Sequence, residues 1–282
     1  PEWNSFLIEN EIPTADYPYH PDHSALHHLI DEGWLWMLRF NDGLLSAGLV
    51  LDGDDHNHLS AENEWNSVVS GYPSLETLFS GSNLADPPNR YVKTGRLQRK
   101  LNKLFGDGWV VLHHTAGFVD PLHSTGIAHS LAGVEKLVSI LVNSTPGSGE
   151  RTKWLEQYQT SFFKELSHID LLVAGCYRAR QYFELFTAFT MLYFVSTIHY
   201  EQQRLSGRTP DHFLSANHPE LSQIIHEAFG QLQELPDDQG LVSPDDVQTF
   251  VSFIQKKIAP FNSVGLMDPS KKNMYEHTAV TL

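Results

Sequence analysis

The stretch from Trp109 to Leu141 constrains the fold most, because its hydrophobic period changes halfway along. Residues 109–112 form a short apolar run with β-branched members, which predicts a buried strand. A loop containing Gly117, Pro121 and Gly126 follows. Beyond this loop, apolar residues recur at steps of three and four, which predicts one stripe of an amphipathic helix: Ile127, Leu131, Val134, Val138 and Leu141.

The predicted order of strand, glycine-containing loop and helix creates a place that favours an anion or an electron-rich ring edge. Ser124 or Thr125 is suited to cap the helix, because a side-chain oxygen can accept from one of its first N–H groups. The remaining N–H groups and the positive end of the helix dipole point into the same small volume.

Two motifs carry a family resemblance. The segments 116–118, 120–122 and 124–127 read Ala-Gly-Phe, Asp-Pro-Leu and Ser-Thr-Gly-Ile, and they resemble the flavin-contacting segment of FAD-dependent, tryptophan halogenase-like oxidoreductases. Upstream, residues 33–39 read Gly-Trp-Leu-Trp-Met-Leu-Arg and resemble the Trp-x-Trp-x-Ile-Pro signature of the same enzymes. Leu38 and Arg39 stand where that signature has Ile and Pro.

The resemblance implies an α/β (α+β) fold, the C-terminal part of a FAD/NAD(P)-binding flavoprotein with a substrate-domain sheet and a C-terminal helical subdomain. It implies FAD as cofactor and a halide held by the backbone amides of Thr125 and Gly126. Trp34 and Trp36 would then lie near the substrate cavity, although from pattern alone core aromatics of a sheet are equally expected. The implied flavin-binding residues are Gly117, Phe118, Asp120, Pro121, Leu122, Ser124, Thr125, Gly126 and Ile127.

In this family, reduced flavin reacts with oxygen in the presence of halide, and hypohalous acid travels to a lysine near the substrate. The present sequence departs from the pattern at two places. His113 and His114 precede Thr115 where the family has Gly-Asp, with the Asp touching the flavin, and His123 stands where indole-halogenating members have Glu. The family's lysine would lie outside this chain.

His123 is the candidate catalytic residue. An imidazole beside a flavin could act as general acid or base, or as a cationic partner of the flavin anion. The competing interpretation is that His123 only hydrogen-bonds the loop backbone. Cys176 lies in an apolar setting, which favours an inert buried thiol over a nucleophile.

Composition narrows the classes of partner. A net charge of -15 and the lack of a long basic run argue against nucleic acid as a partner. A single cysteine fits a reducing compartment, and no uncharged apolar run is long enough for a bilayer, so we predict a cytoplasmic protein without a membrane partner. The expected partners are a small-molecule substrate, a halide ion and a flavin reductase.

The sequence contains no Gly-x-Gly-x-x-Gly fingerprint for the ADP half of FAD, which predicts that it is the C-terminal part of a longer protein. Its domains are expected at 1–108 (substrate-domain sheet and crossover), 109–145 (flavin-contacting strand, loop and helix) and 151–282 (helical subdomain).

Other segments are more ordinary. Residues 26–51 predict a hairpin that turns at 41–43, and residues 62–79 a helix broken at Tyr72-Pro73. The acidic and histidine-containing turn at 52–58 favours a solvated turn over a metal site, and the basic segment 91–105 a solvated helix face over an anion site at Arg96 and Arg99.

Three functions follow as hypotheses. The first is an FAD-dependent oxidoreductase of the halogenase-like group that acts through reduced flavin and oxygen on an organic substrate. Aromatic molecules are one class of substrate that this hypothesis includes. The second is a flavin monooxygenase or reductase that makes no carbon–halogen bond. The third is a flavin-free scaffold descended from such an enzyme. No metal is predicted for any of them.

Overall fold

The computed structural model describes residues 3–15, 20–53, 59–208, 210–236, 241–268 and 270. The chain divides into two compact units: Pro1–Gly95 together with Pro269–Leu282, and Arg96–Asp268. The finer division into three domains stays a prediction. The candidate metal turn at 52–58 lies mostly outside the described residues.

The first unit is built on a three-stranded antiparallel sheet. Helix α1 (Trp3–Glu9) precedes strands β1 (Leu26–Ile30), β2 (Gly33–Arg39) and β3 (Leu45–Leu51), in the order β1-β2-β3. The predicted hairpin is confirmed as β2 and β3, with Phe40 N–H donating to the Leu44 carbonyl across the turn at 2.9 Å. The prediction treated residues 26–51 as one hairpin and did not distinguish β1 as a strand of its own.

Two helices cover one face of this sheet. They are α2 (Ala61–Gly71) and α3 (Pro73–Phe79), and they separate at Tyr72-Pro73 as predicted. Leu35 and Met37 of β2 pack in one core with the buried side chains of these helices, Val68, Val69, Leu75 and Leu78. Because side chains alternate along a strand, Trp34 and Trp36 lie on the opposite face.

The second unit begins with short strands and a single helical turn. They are β4 (Arg99–Lys100), β5 (Phe105–Gly106), β6 (Trp109–Val110), α4 (His113–Ala116) and β7 (Gly117–Phe118), with β4 pairing β7 and β5 pairing β6. The basic segment is therefore extended at Arg99, and not part of a helix face. Pairing with β7 explains the difference, since Arg99 and Phe118 are direct partners.

The prediction of a buried strand at 109–112 is wrong. Strand β6 has only two residues, the side chain of Trp109 is 48% exposed, and Leu112 is exposed at the N-cap of α4. Among the described residues the run pairs with β5 in a two-stranded ribbon, and Val110 and Val111 are only partly buried against side chains of α6. An apolar run does not by itself show how completely other segments of the chain will bury it.

In the described part of the second unit, five long helices follow: α5 (Gly126–Asn143), α6 (Gly149–Ala179), α7 (Phe183–Leu205), α8 (Pro219–Glu234) and α9 (Pro244–Ile258). The helical C-terminal half is as predicted, and the apolar stretch 171–205 is resolved into two helices. Ser243 caps α9, because its hydroxyl oxygen accepts from Asp246 N–H at 3.1 Å. Within the described residues, no helix is both long and apolar enough to cross a membrane.

Helix α5 carries its apolar stripe on the outward side. The predicted stripe does lie on one side of the helix, but this side faces outward, with Ile127 79% exposed, Leu131 63% and Val138 52%. The inward side carries the buried residues His129, Ala132, Gly133 and Leu137.

Candidate functional site

The loop between β7 and α5 is held by one buried carboxylate. Asp120 Oδ1 accepts from Leu122 N–H at 2.8 Å, and Asp120 Oδ2 accepts from the Tyr177 hydroxyl of α6 at 2.7 Å. The Pro121 carbonyl accepts from Ser124 N–H at 2.8 Å, and Ser124 has a left-handed φ of 52°. The loop therefore has a defined shape, anchored to α6 by a charge-assisted hydrogen bond.

Helix α5 begins directly after this loop. Thr125 is its N-cap residue, one of the two predicted, but its side chain makes no capping hydrogen bond. The first intrahelical bond runs from His129 N–H to the Thr125 carbonyl at 2.9 Å, so the N–H groups of the preceding residues lack partners within the helix. A Cβ on Gly126 would lie 3.0 Å from the His114 ring, so a larger residue here would press against that ring.

His123 is held in place by α6 and α7. Its ring stacks on Tyr193 with centroids 4.3 Å apart, and its carbonyl accepts from the Tyr193 hydroxyl at 3.0 Å. Its Nε2 atom lies 3.6 Å from the Cys176 Sγ atom. Cys176 is fully buried, as predicted, and burial raises the pKa of its thiol to about 12. The thiol therefore stays protonated beside the imidazole and has little nucleophilic character.

The two histidines that depart from the family pattern have different environments. His113 is fully buried, with its ring 5.0 Å from that of Tyr158 and in close contact with the Cα of Gly133. His114 is exposed, and its carbonyl accepts from the Arg99 guanidinium at 2.7 Å. The His114 ring lies edge-on to Phe118 and beside Gly126, so it borders the loop where the family has a carboxylate.

A buried ionic network supports the first turns of α5 from behind. Glu165 of α6 is fully buried; its Oε2 atom lies 2.9 Å from His129 Nε2, and its Oε1 atom accepts from Lys136 at 2.6 Å. Ser161 Oγ and Phe213 N–H also donate to Oε1, at 2.9 and 3.0 Å. Sequence reasoning missed this network, because the partners of Glu165 lie up to 48 positions away from it and form no local motif.

The charges of the network account for the protonation state of Glu165. Burial alone would raise the pKa of this carboxyl, but the hydrogen bond from His129 and the charge of Lys136 outweigh burial and hold the pKa well below its usual range. The nearest ligand-type atoms of His113, His129 and Glu165 lie within 4.8 Å of one another. The Lys136 ammonium already occupies Glu165 Oε1, so we describe the cluster as an ion network.

The predicted flavin-binding residues lie within the short segment 117–127 but differ in exposure. Ser124 and Ile127 are exposed, Phe118, Pro121 and Gly126 are half-buried, and Gly117, Asp120, Leu122 and Thr125 are buried. A Cβ on Gly117 would strike Leu166 and Phe162, so this glycine is required for packing on α6. Trp34 and Trp36 belong to the other unit, where their ring centroids are 6.1 Å apart and Gly48 lies against the Trp36 ring.

The Asp-Pro loop leads into the N-terminus of α5 within a fold of mixed helix and sheet. The chain matches the Tryptophan halogenase family over residues 12–187, which is more than half its length. It therefore belongs to the tryptophan halogenase family, and the resemblance inferred from the two motifs is confirmed.

Individual relatives agree with this membership. The chain is 34% identical over 185 residues to monodechloroaminopyrrolnitrin halogenase PrnC of Pseudomonas fluorescens, covering 62% of the chain and 32% of PrnC. It is 30% identical over 115 residues to tetracycline 7-halogenase of Kitasatospora aureofaciens, covering 38% of the chain and 20% of that enzyme. The chain thus spans a third or less of the length of these curated relatives.

A solved structure supports the fold. Halogenase PltM in complex with phloroglucinol and FAD aligns with a TM-score of 0.72 at 18% identity, covering 91% of this chain and 56% of PltM. The fold-class prediction is confirmed, and the FAD in that complex agrees with FAD as the cofactor of the family. The roles of individual residues, including His123, stay predictions.

Proposed function

We propose that this chain supplies the flavin-facing and substrate-facing portions of an FAD-dependent oxidoreductase of the halogenase-like group. It would act on an organic substrate, with aromatic compounds as the class tested first, through reduced flavin and oxygen. A halide ion and a flavin reductase are the proposed partners, and the cytoplasm is the proposed compartment. Membership of the tryptophan halogenase family and the shape of the loop at residues 117–126 support this function.

The observation that carries the proposal is the start of α5, whose first N–H groups lack partners within the helix, beside the loop anchored by Asp120. Peptide N–H groups at a helix start bind anions without any side chain. The ordered loop presents these groups at a fixed position, and Gly126 adds no side chain in front of them. This donor set fits both a halide ion and the electron-rich edge of a flavin ring.

Bound FAD would supply the redox chemistry, namely the reaction of its reduced form with oxygen. The chain's own residues would orient the flavin and shield it from solvent. The segment 120–122 would lie along the flavin, and the amides of Thr125 and Gly126 would hold the halide. The imidazole of His123, stacked on Tyr193, would hold or deliver a proton.

The second candidate is a flavin monooxygenase or reductase that makes no carbon–halogen bond, and His114 is the observation that favours it. The family's flavin-contacting carboxylate is replaced here by an imidazole that borders Gly126. A changed side chain at this position alters the polarity of the loop. The third candidate, a flavin-free scaffold, keeps the same fold without cofactor.

One experiment separates the three candidates. The polypeptide encoded by the complete open reading frame is purified, titrated with FAD while the visible spectrum is recorded, and assayed with a flavin reductase, with and without chloride or bromide. A perturbed flavin band and halide-dependent product support the proposal. A flavin band with halide-independent product supports the monooxygenase or reductase, and an unchanged FAD spectrum supports the scaffold.

Two glycine variants localise the site. Gly126→Val places a side chain against the His114 ring at the start of α5, and we expect it to weaken FAD or halide binding. Gly149→Val is the matched control, because Gly149 also begins a helix but no atom lies within 4 Å of its Cβ position. Equal losses of binding in the two variants would contradict the proposed location.

A further inference from the structure

A line of three polar contacts runs from the imidazole of His123 to the backbone of α7. His123 Nε2 lies 3.6 Å from the Cys176 Sγ atom of α6, and this sulfur lies 3.5 Å from Thr190 Oγ1 of α7. Thr190 Oγ1 in turn lies 2.8 Å from the carbonyl of Phe186, one turn earlier in the same helix. We call His123, Cys176, Thr190 and the Phe186 carbonyl the thiol relay. It ends at a carbonyl, which can only accept a hydrogen bond.

Each side chain of the thiol relay has a limited number of hydrogens to donate. The hydroxyl of Thr190 has one, and it donates this hydrogen to the Phe186 carbonyl, a bond that threonine commonly makes within helices. Cys176 keeps its one hydrogen, because burial raises the pKa of its thiol to about 12. The neutral imidazole of His123 also carries one hydrogen, either on Nδ1 or on Nε2.

One distribution of these hydrogens places a hydrogen in every contact. In this distribution His123 Nε2–H donates to Cys176 Sγ, and the thiol donates to Thr190 Oγ1. The threonine hydroxyl then donates to the Phe186 carbonyl. If the thiol donated to Nε2 instead, one of the two contacts of Thr190 Oγ1 would bring lone pairs together without a hydrogen between them. Polar atoms buried in that way cost free energy, so the first distribution is favoured.

We infer that Cys176 and Thr190 hold the neutral His123 in its Nε2–H tautomer, so that Nδ1 is the ring nitrogen that accepts a proton. The hydrogen bond made by one nitrogen of histidine determines which form the other takes. Stacking on Tyr193, with the two rings 6° from parallel, restrains the orientation of the imidazole beside the thiol. Cys176 and Thr190 act through His123 and are positioning residues. The catalytic consequence of the inference rests on the proposed function.

This direction of the relay suits a residue that takes up a proton. When Nδ1 of His123 binds a proton, Nε2–H continues to donate to the sulfur, so no member of the relay has to turn. In the opposite direction the accepting nitrogen would be Nε2, which could bind a proton only after the thiol of Cys176 had turned away. The relay therefore assigns His123 the role of a general base, with the proton held at Nδ1.

Nitrogen-15 NMR of the 282-residue chain tests the tautomer directly, because protonated and unprotonated nitrogens of a neutral imidazole differ in chemical shift. The signals of His123, among those of 16 histidines, are the ones absent from His123→Phe. We expect the pattern of the Nε2–H tautomer at about pH 9, well above the ordinary pKa of histidine. The pattern of the Nδ1–H tautomer, or an even mixture of the two, would overturn the inference whether or not the protein binds flavin.

Thr190→Val removes the acceptor of the thiol and keeps a side chain of similar shape. The thiol should then turn to His123 Nε2, and the shift pattern should change to that of the Nδ1–H tautomer. Thr190→Ser keeps the hydroxyl and should keep the parent pattern. Thr160→Val is the matched control, because Thr160 of α6 donates to the carbonyl four residues earlier at 2.9 Å but lies 16 residues before Cys176. An unchanged pattern in Thr190→Val would contradict the relay.

The infrared stretching band of the thiol gives a second readout, because the chain contains a single cysteine and hydrogen bonding lowers the frequency of an S–H stretch. If the thiol donates to Thr190, His123→Phe should leave the band nearly in place, and Thr190→Val should shift it. A shift in His123→Phe with none in Thr190→Val would show that the thiol donates to the imidazole, which would overturn the inference.

Activity separates this inference from the proposed function. In the polypeptide of the complete open reading frame, assayed with FAD and a flavin reductase, Thr190→Val should lower kcat about tenfold or more, while Thr190→Ser stays within about twofold of the parent. A changed tautomer with unchanged kcat would support the relay and contradict the catalytic role of His123. A parent polypeptide that does not bind FAD would contradict the proposed function, whereas the tautomer measured in the 282-residue chain would still decide the relay.

Discussion

The hydroxyl of Tyr177 donates a 2.7 Å hydrogen bond to Asp120, which joins the last turn of α6 to the Asp-Pro loop 57 residues earlier in the chain. The other oxygen of Asp120 accepts from the backbone of the loop itself. Tyr177 therefore fixes the carboxylate that shapes the loop. Any ligand that lies along this loop depends on the bond indirectly.

Tyr177→Phe should loosen the loop and weaken FAD binding. Removing a hydrogen bond to a charged group costs about 1.5–3 kcal/mol, so we expect the Kd for FAD to rise about tenfold or more. Spectral titration of the FAD-binding polypeptide measures it. Tyr182→Phe is the control, because it loses a hydrogen bond from Val242 N–H away from the loop. An equal rise in both variants would mean that Tyr177 acts only through general stability.

His123→Phe tests the predicted catalytic role. Phenylalanine can keep the ring stacked on Tyr193, and the His123 carbonyl is retained, so the loop should keep its shape. We expect kcat for product formation to fall about 100-fold or more, as for loss of a general acid or base, while the Kd for FAD stays within twofold of its original value. Unchanged kcat would leave His123 as a packing residue of the loop.

Glu165→Gln should destabilise the second unit strongly. The change leaves Lys136 and His129 packed against a neutral amide, and breaking a buried ion pair from one side costs about 3–5 kcal/mol. The free energy of unfolding in urea measures the loss. The double variant Glu165→Gln, Lys136→Met removes the stranded ammonium and should recover part of it. A double variant less stable than the single one would contradict this account of the network.

Protonation of His113 should make stability depend on pH. Burial, followed by the neighbouring His129, lowers the pKa of His113 from 6.5 to about 4, so the unfolded chain binds this proton at a higher pH than the folded chain does. Its contribution is complete above pH 6.5 and is lost as the pH falls toward 4, on the order of 3 kcal/mol in total. His113→Phe should reduce the pH dependence of the unfolding free energy in this window. An unchanged pH dependence in His113→Phe would contradict this account.

Two helical glycines should respond in opposite ways to alanine. A Cβ on Gly175 of α6 would lie 2.0 Å from the Phe189 ring of α7, and overpacking of this kind costs about 1–3 kcal/mol. Gly230 of α8 has no atom within 4 Å of its Cβ position, so Gly230→Ala should stabilise by about 0.4–1 kcal/mol. Melting temperatures check both, and a stabilising Gly175→Ala would show that the two helices separate readily.

Local patterns predicted the parts of the fold that local forces determine. The hairpin turn at 41–43, the break at Tyr72-Pro73 and the Ser243 cap each depend on neighbouring residues, and the structure contains all three. The motif at 116–127 identified the family, because its residues are contiguous. Periodicity also placed the stripe of α5 on one side of the helix.

Features that depend on distant partners could not be predicted. Nothing near Glu165 indicates that Lys136 and Phe213 N–H will reach it, so the ion network was missed. The apolar run at 109–112 reads as buried, yet Trp109 is half exposed because only a two-residue strand pairs with it. An apolar pattern indicates that side chains will be buried, but it does not show which segment buries them.

The long sequence separations of the loop contacts have a consequence for folding kinetics. The bonds from Tyr177 to Asp120 and from Tyr193 to His123 span 57 and 70 residues. Contacts of this range form only after a large loop closes, which is slow compared with helix formation. The Asp-Pro loop should therefore acquire its final shape late in folding, after α6 and α7 have docked, and a ribosome-bound chain that ends before Tyr193 would lack it.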